Sequence, residues 1–425
     1  MQIQQNKTKS GRPETRDRGY WAIDENRQAM TTILRILLCT SLAFAVVSGA
    51  VPKRHQAKKE GVPSRSAKKV KSQSAKSKSK RKPARAAAVP AVAKSSTRRP
   101  ARIRRVMSPW NVPTYADSTI GDELEGEDLQ VRRAAVDALG AFNGSVVVVD
   151  PGSGRILSMV NQRLAMTGAY QPCSTIKLVA SLAALSEGMI DKDTRLRISR
   201  NVSMDLTTAI ARSNNPYFSN LGEKLGFEKV NYYGRLYGLG EKAGYGIGGE
   251  SPGIFPDKKP REVPVGMMTS FGEAIGITPL QLAALVSSIA NDGTLYFLQY
   301  PRSEAEIQNF APRVKRYLDI REAVPKMKPG MLGATDFGTA RRASYDPGEP
   351  IFGKTGTCSD ARTHLGWFGS FNEVAGRKLV VVVLLTGGRG VSGPVASGVA
   401  GKVYKNLSEQ RYFGRPAAAS AIGQP

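Results

Sequence analysis

Histidine is nearly absent from this chain: 425 residues contain two, His55 and His364. Neither stands at a spacing that suggests metal ligation, so no metal and no cofactor is implied. His364 reads as structural or rim-lining. Cysteine is almost as sparse, with three in all. Cys39 lies in an apolar segment that cleavage would remove, which leaves Cys173 and Cys358. Acidic residues are nearly absent, and Phe, Tyr and Trp wholly absent, from one long stretch. Between Val51 and Arg105 stand 20 lysines and arginines against the single Glu60, so +19 of the chain's +27 sits there. A Lys/Ser/Ala/Pro-rich run of this kind buries too little apolar surface to offset its ordering entropy. Residues 51–107 are therefore expected to be a disordered basic linker. About 55 flexible residues reach roughly 40 Å r.m.s., and self-repulsion extends that. With no aromatics among the charges the run lacks base-stacking platforms, which argues against nucleic acid. Anionic envelope polymers or lipid headgroups suit residues 51–105 better if the chain is exported.

A membrane-length apolar run is missing too. The segment from Ile36 to Val47 offers about a dozen apolar residues, where a span takes about 20. That length suits the core of a signal peptide, and Ser48-Gly49-Ala50 supplies small residues for cleavage. Residues 30–50 thus read as a signal peptide or, on the competing reading, as an uncleaved anchor from Ile33 to Val51. Lys53 and Arg54 just beyond it run against the positive-inside tendency and favour cleavage. Met30 opens a natural n-region, so residues 1–29 are either a mis-assigned start or a cytoplasmic tail.

What the chain does contain is three short motifs in order: Ser174-Thr175-Ile176-Lys177, Ser213-Asn214-Asn215 and Lys354-Thr355-Gly356-Thr357. Each alone is weak. Leu178 to Leu185 is a strong helix-forming run ending near Gly188, and on a helix positions i and i+3 share a face with Cβ atoms about 5–6 Å apart. Lys177 therefore comes within reach of Ser174. A free lysine, with a pKa of about 10.4, is a poor base at neutral pH. Desolvation and a second cation such as Lys354 would lower it into a useful range. Ser174 at a helix N-terminus would face unpaired N–H groups suited to an oxyanion. Ser213-Asn214-Asn215, followed by Pro216, reads as a helix-to-loop boundary. Lys354 to Thr357 reads as a strand edge, where Gly356 admits a close backbone approach and the lysine and hydroxyls can hold a carboxylate. No glycine-rich phosphate loop precedes Lys354.

Together the three motifs resemble those of the penicillin-binding transpeptidases and serine β-lactamases. The likeness extends beyond them. Gly144 to Val160 is similar to the hairpin that opens transpeptidase domains, and Phe271 to Ala283 carries Thr278-Pro279-Leu280-Gln281. Gly366 to Phe371 and Leu379 to Leu385 resemble the closing hairpin of the central sheet. The resemblance implies an α+β fold, a central antiparallel sheet flanked by helices, over residues 108–415, with 416–425 as a flexible tail. Relatives usually carry a further domain before the transpeptidase; here only the basic tether is expected.

The resemblance also assigns roles. Ser174 would be the nucleophile, Lys177 its base, and Ser213 the group that passes a proton to the leaving amine. Asn215 would bind the substrate amide, and Lys354, Thr355 and Thr357 its carboxylate, with the N–H groups of Ser174 and Thr357 as oxyanion hole. Some class A β-lactamases carry cysteines at the offsets of Cys173 and Cys358, joined as a disulfide, and the same bond is expected here. The implied activity is a penicillin-binding D,D-transpeptidase acting on peptidoglycan stem peptides and acylated by β-lactams. A D,D-carboxypeptidase or serine β-lactamase shares the acylation chemistry. No Glu-x-x-Leu-Asn or Tyr-Gly-Asn stretch between Asn215 and Lys354 supplies β-lactamase deacylation machinery, and a non-catalytic sensor or scaffold fits poorly with a full motif set. Such a substrate lies outside the membrane, so export is expected, either secreted or anchored.

Overall fold

Two valine runs, one near each end of the folded region, lie side by side at the centre of the sheet: Val146 pairs with Val383 and Val149 with Val380, antiparallel. The computed structural model describes residues 111–360, 362–388 and 390–414. The segment around Cys39, the basic run with His55 and residues 415–425 lie outside the described residues. Among the described residues no helix is long and apolar enough to cross a membrane.

In chain order, α1 (Leu129–Leu139) leads into the hairpin of β1 (Gly144–Asp150) and β2 (Arg155–Val160), then the short α2 (Gln162–Thr167). A 3-10 turn, Cys173–Ile176, runs into α3 (Lys177–Ser186). A small hairpin of β3 (Leu196–Ser199) and β4 (Val202–Met204) precedes α4 (Leu206–Ala211), α5 (Asn215–Leu236), α6 (Val265–Phe271) and α7 (Pro279–Ala290). β5 (Thr294–Tyr296), α8 (Glu304–Gln308), β6 (Val314–Tyr317) and α9 (Ala323–Asp336) follow. The fold closes with β7 (Ile351–Ser359), β8 (His364–Val374), β9 (Arg377–Gly387) and α10 (Gly393–Glu409).

The main sheet has the order β2-β1-β9-β8-β7, with every neighbouring pair antiparallel. Side chains alternate between its faces. Val146, Val148, Val381 and Val383 join a core with α1 and α10, while Val147, Val149, Val380 and Val382 join the larger core beneath α3, α5, α7 and α9. A sheet covered on both faces explains the unbroken apolar run Leu379 to Leu385, where a one-sided antiparallel strand would alternate. The central antiparallel sheet flanked by helices matches the expected architecture.

Local signals set the helix starts. Thr278 caps α7 and Gln281 reaches back to the Thr278 N–H, a complete capping box. The helix end expected at Ser213-Asn214-Asn215 is present, since α4 stops at Ala211 and Ser213 adopts φ 54° in a tight turn; the difference is that no longer loop follows, because Asn214 caps α5 by accepting from the Tyr217 N–H (2.8 Å). Pro216 stands in the first turn of α5, where its missing N–H costs nothing. The proline starts a helix here rather than stopping one.

Candidate active site

β7 is the last strand of the sheet, and three distant pieces of chain meet along it. The first is the turn before α3, which carries Ser174. It is pinned from several directions. Trp367 Nε1 on β8 donates to the Gln171 carbonyl (2.9 Å), and Gln171 Nε2 donates to the Phe271 carbonyl (2.9 Å). Cys173 and Cys358 are disulfide-bonded, their Cα atoms 5.5 Å apart, which ties the turn directly to β7. Gly356 makes the close approach feasible: a Cβ there would stand 2.9 Å from the Pro172 carbonyl oxygen and 3.2 Å from Thr175 Cγ2. Ser174 itself lies in the 3-10 turn rather than in the α-helix, half-buried, with its hydroxyl 3.5 Å from the Ser270 carbonyl.

The second piece is the turn between α4 and α5. Lys177, fully buried, sends its amine there. Nζ donates to the Ser213 carbonyl (2.8 Å) and Asn215 Oδ1 (2.6 Å) and lies 3.2 Å from Ser213 Oγ. The third piece is β7. Lys354, also fully buried, donates to Ser213 Oγ (2.8 Å) and to the Thr355 carbonyl (2.9 Å). Ser213 Oγ thus stands between two lysine amines.

Burial pulls the Lys177 ammonium down to about 7. Lys354 is held well below the usual lysine value, by burial first and by the neighbouring Lys177 second. Desolvation therefore carries the Lys177 shift, and the charge repulsion expected between the two falls on Lys354. An amine that is half neutral near pH 7, one hydroxyl away from a second buried amine, can accept and relay a proton where an exposed lysine cannot. Asn215 Oδ1 is engaged with Lys177.

Thr357 is exposed on β7, and its hydroxyl accepts from the Gly393 N–H (2.8 Å) at the start of α10. Thr355 is buried and its hydroxyl lies 2.6 Å from that of Thr339. Sequence reading missed Thr339; its one local signal is the Gly338-Thr339 pair after α9, which by itself reads as an ordinary helix end. His364 opens β8 with Nδ1 2.8 Å from Ser359 Oγ. The structure brings Lys177 and Lys354 together at Ser213, with Asn215 on Lys177 and the Thr355 carbonyl on Lys354, and carries Ser174 on the adjoining turn.

A serine on a turn braced against the edge strand of a helix-covered sheet, beside two buried lysines, is an arrangement suited to serine acyl transfer. Residues 144–409 match the family model described as the penicillin binding protein transpeptidase domain, and the chain belongs to that family. Stage V sporulation protein D of Bacillus subtilis is 29% identical over 283 residues, covering 59% of this chain and 44% of that protein. Peptidoglycan D,D-transpeptidase MrdA of Acinetobacter baumannii is 25% identical over 303 residues, 57% of this chain and 45% of that one. The chain thus spans about half the length of these relatives. The crystal structure of the D,D-transpeptidase domain of a peptidoglycan glycosyltransferase from Eggerthella lenta superposes with a TM-score of 0.55 at 22% identity, covering 67% of this chain and 82% of that one. That likeness is one of fold.

Proposed function

We propose that the chain is a D,D-transpeptidase that works on peptidoglycan stem peptides through a Ser174 acyl-enzyme. One observation carries the reading: Lys177 is fully buried, shifted to about 7, and hydrogen-bonded to both Ser213 and Asn215. A neutral amine in that position takes the proton from Ser174 Oγ as the oxygen bonds to the carbonyl carbon of the penultimate D-alanine. The N–H groups of Ser174 and Thr357 hold the oxyanion. The C–N bond to the terminal D-alanine then breaks as Ser213 passes its proton to the departing nitrogen and receives in turn the proton that Lys177 took from Ser174. Lys354, Thr355 and Thr357 hold the terminal carboxylate, and Asn215 the substrate amide. An acceptor amine bonds to the ester carbon, the bond from that carbon to Ser174 Oγ breaks, and the amine's proton passes by way of Lys177 to Ser174 Oγ. With water as acceptor, the same steps make a carboxypeptidase.

The substrate places this reaction outside the cytoplasmic membrane. On this reading residues 30–50 serve export or anchoring, and residues 51–105 lie against anionic envelope polymers or lipid headgroups. Binding of the full chain to an anionic polymer should weaken steeply with salt; retention unchanged from low to high salt would overturn that part.

Time-resolved intact mass of the chain with excess benzylpenicillin tests the chemistry. The expected result is a long-lived adduct that Ser174→Ala lacks. Rapid hydrolysis of the antibiotic without accumulating adduct would make the protein a β-lactamase instead. Neither adduct nor hydrolysis would sink the acyl-enzyme reading.

A further inference from the structure

The segment after α9 touches two parts of the site at once. Thr339 donates its N–H to the Ala211 carbonyl (3.1 Å), two residues before Ser213. Its hydroxyl lies 2.6 Å from the Thr355 hydroxyl on β7. Gly338 makes this fit, because a Cβ there would collide with the Ala211 carbonyl oxygen. Thr335 adds a second tie, its hydroxyl donating to the Ile351 carbonyl (2.8 Å) at the start of β7. One short hook thus holds both the turn with Ser213 and the strand with Lys354, the two groups that meet at 2.8 Å.

We propose that Thr339 is a positioning residue for substrates that carry a free carboxylate. The proposal rests on the acyl-transfer reading above. A threonine hydroxyl has one proton to give and two lone pairs to receive with. When a carboxylate reaches β7, Thr355 gives its proton to that anion, and its own lone pair is then filled by the Thr339 proton. Donation from Thr339 into Thr355 polarises the Thr355 O–H and strengthens its bond to the anion. With Thr339 absent, Thr355 keeps its proton but loses the partner that sets its rotamer and sharpens its donation. The N–H of Thr339, a backbone group, continues to hold Ala211 whatever the side chain. The side chain's contribution is therefore separable from the scaffold's.

Thr339→Val keeps the shape and removes the hydroxyl; Thr339→Ser keeps the hydroxyl. Second-order acylation rates are measured for the full chain with benzylpenicillin and with its methyl ester, which has lost the charged carboxylate. Thr339→Val should acylate about tenfold more slowly with the free acid, the size of one ordinary hydrogen bond between neutral groups. The loss should fall on the binding constant rather than on the limiting rate. With the methyl ester, wild type and Thr339→Val should differ less than twofold, and Thr339→Ser should recover the free-acid rate. A similar loss on acid and ester would show that the valine only disturbs packing and would overturn the proposal, as would no loss on the acid. Failure of the wild type to acylate with either compound would instead remove the acyl-enzyme reading, and this proposal with it.

Discussion

On the proposed mechanism Lys177 is the residue on which the chemistry turns, and its behaviour with pH is specific. Its folded pKa of about 7 lies below the unfolded value of 10.5, so folding expels a proton between those two pH values. Acylation by a β-lactam should therefore rise with pH through an inflection near 7 and level off above it, as the neutral amine fills. A rate independent of pH from 5.5 to 8.5 would remove Lys177 from the role of base. The same shift has a stability consequence of definite sign: the unfolded chain binds more protons above pH 7, so this group's contribution to stability rises with pH from about 7 to 10.5. Below 7 it is flat. Lys354 shifts in the same direction, and its replacement by Met should reduce the slope of stability against pH in urea titrations. The identities of these lysines were legible in the sequence because each sits at a fixed offset from a serine or glycine. The depth of their burial was not, since it depends on α5, β7 and the Ser213 turn closing over them together.

The contact between the Ser174 turn and β7 is a meeting of elements, and Gly356 is its narrowest point. Gly356→Ala places a methyl 2.9 Å from the Pro172 carbonyl, and the turn is held by the disulfide and Trp367 and has little room to retreat. Overpacking of this kind costs about 1–3 kcal/mol. A chemical-denaturation midpoint should fall accordingly, and acylation should slow as Ser174 and Lys354 are pushed apart; an unchanged midpoint and rate would mean the turn is softer than its contacts suggest. Local elements were well marked in the sequence. The β1–β2 and β8–β9 hairpins were both legible through their resemblance to family stretches, while the Thr278 capping box went unread. The turn after α4 was legible, but the start of α5 was not, because Pro216 serves equally as a stop or as a first-turn residue, and only the cap by Asn214 decides. Thr339 stayed hidden for a related reason: its value lies in what stands opposite it, and nothing local encodes that.

At the scale of the molecule, the Cys173–Cys358 bond closes a loop of 185 residues. In the chain-entropy account, opening a loop of that size costs at most about 5 kcal/mol. The Cys173→Ala, Cys358→Ala double variant should unfold at clearly lower urea concentration than the oxidised parent, and labelling of the unfolded, unreduced parent should find neither thiol free. Equal midpoints would assign the bond to local geometry alone. Sheet order was the least legible feature of the fold, because nothing in two similar valine runs says that one must pair with the other across the whole helical region. That pairing governs how the protein is made. β1 finds its central neighbour only in β9, the last strand in chain order among the described residues. Until then β1 and β2 are a lone hairpin, too small to be stable alone. Ser174 and Lys177 are synthesised long before Lys354, so a truncated product ending ahead of β7 carries the proposed nucleophile without the proposed carboxylate anchor. Vectorial synthesis thus withholds the assembled site until the final strands arrive.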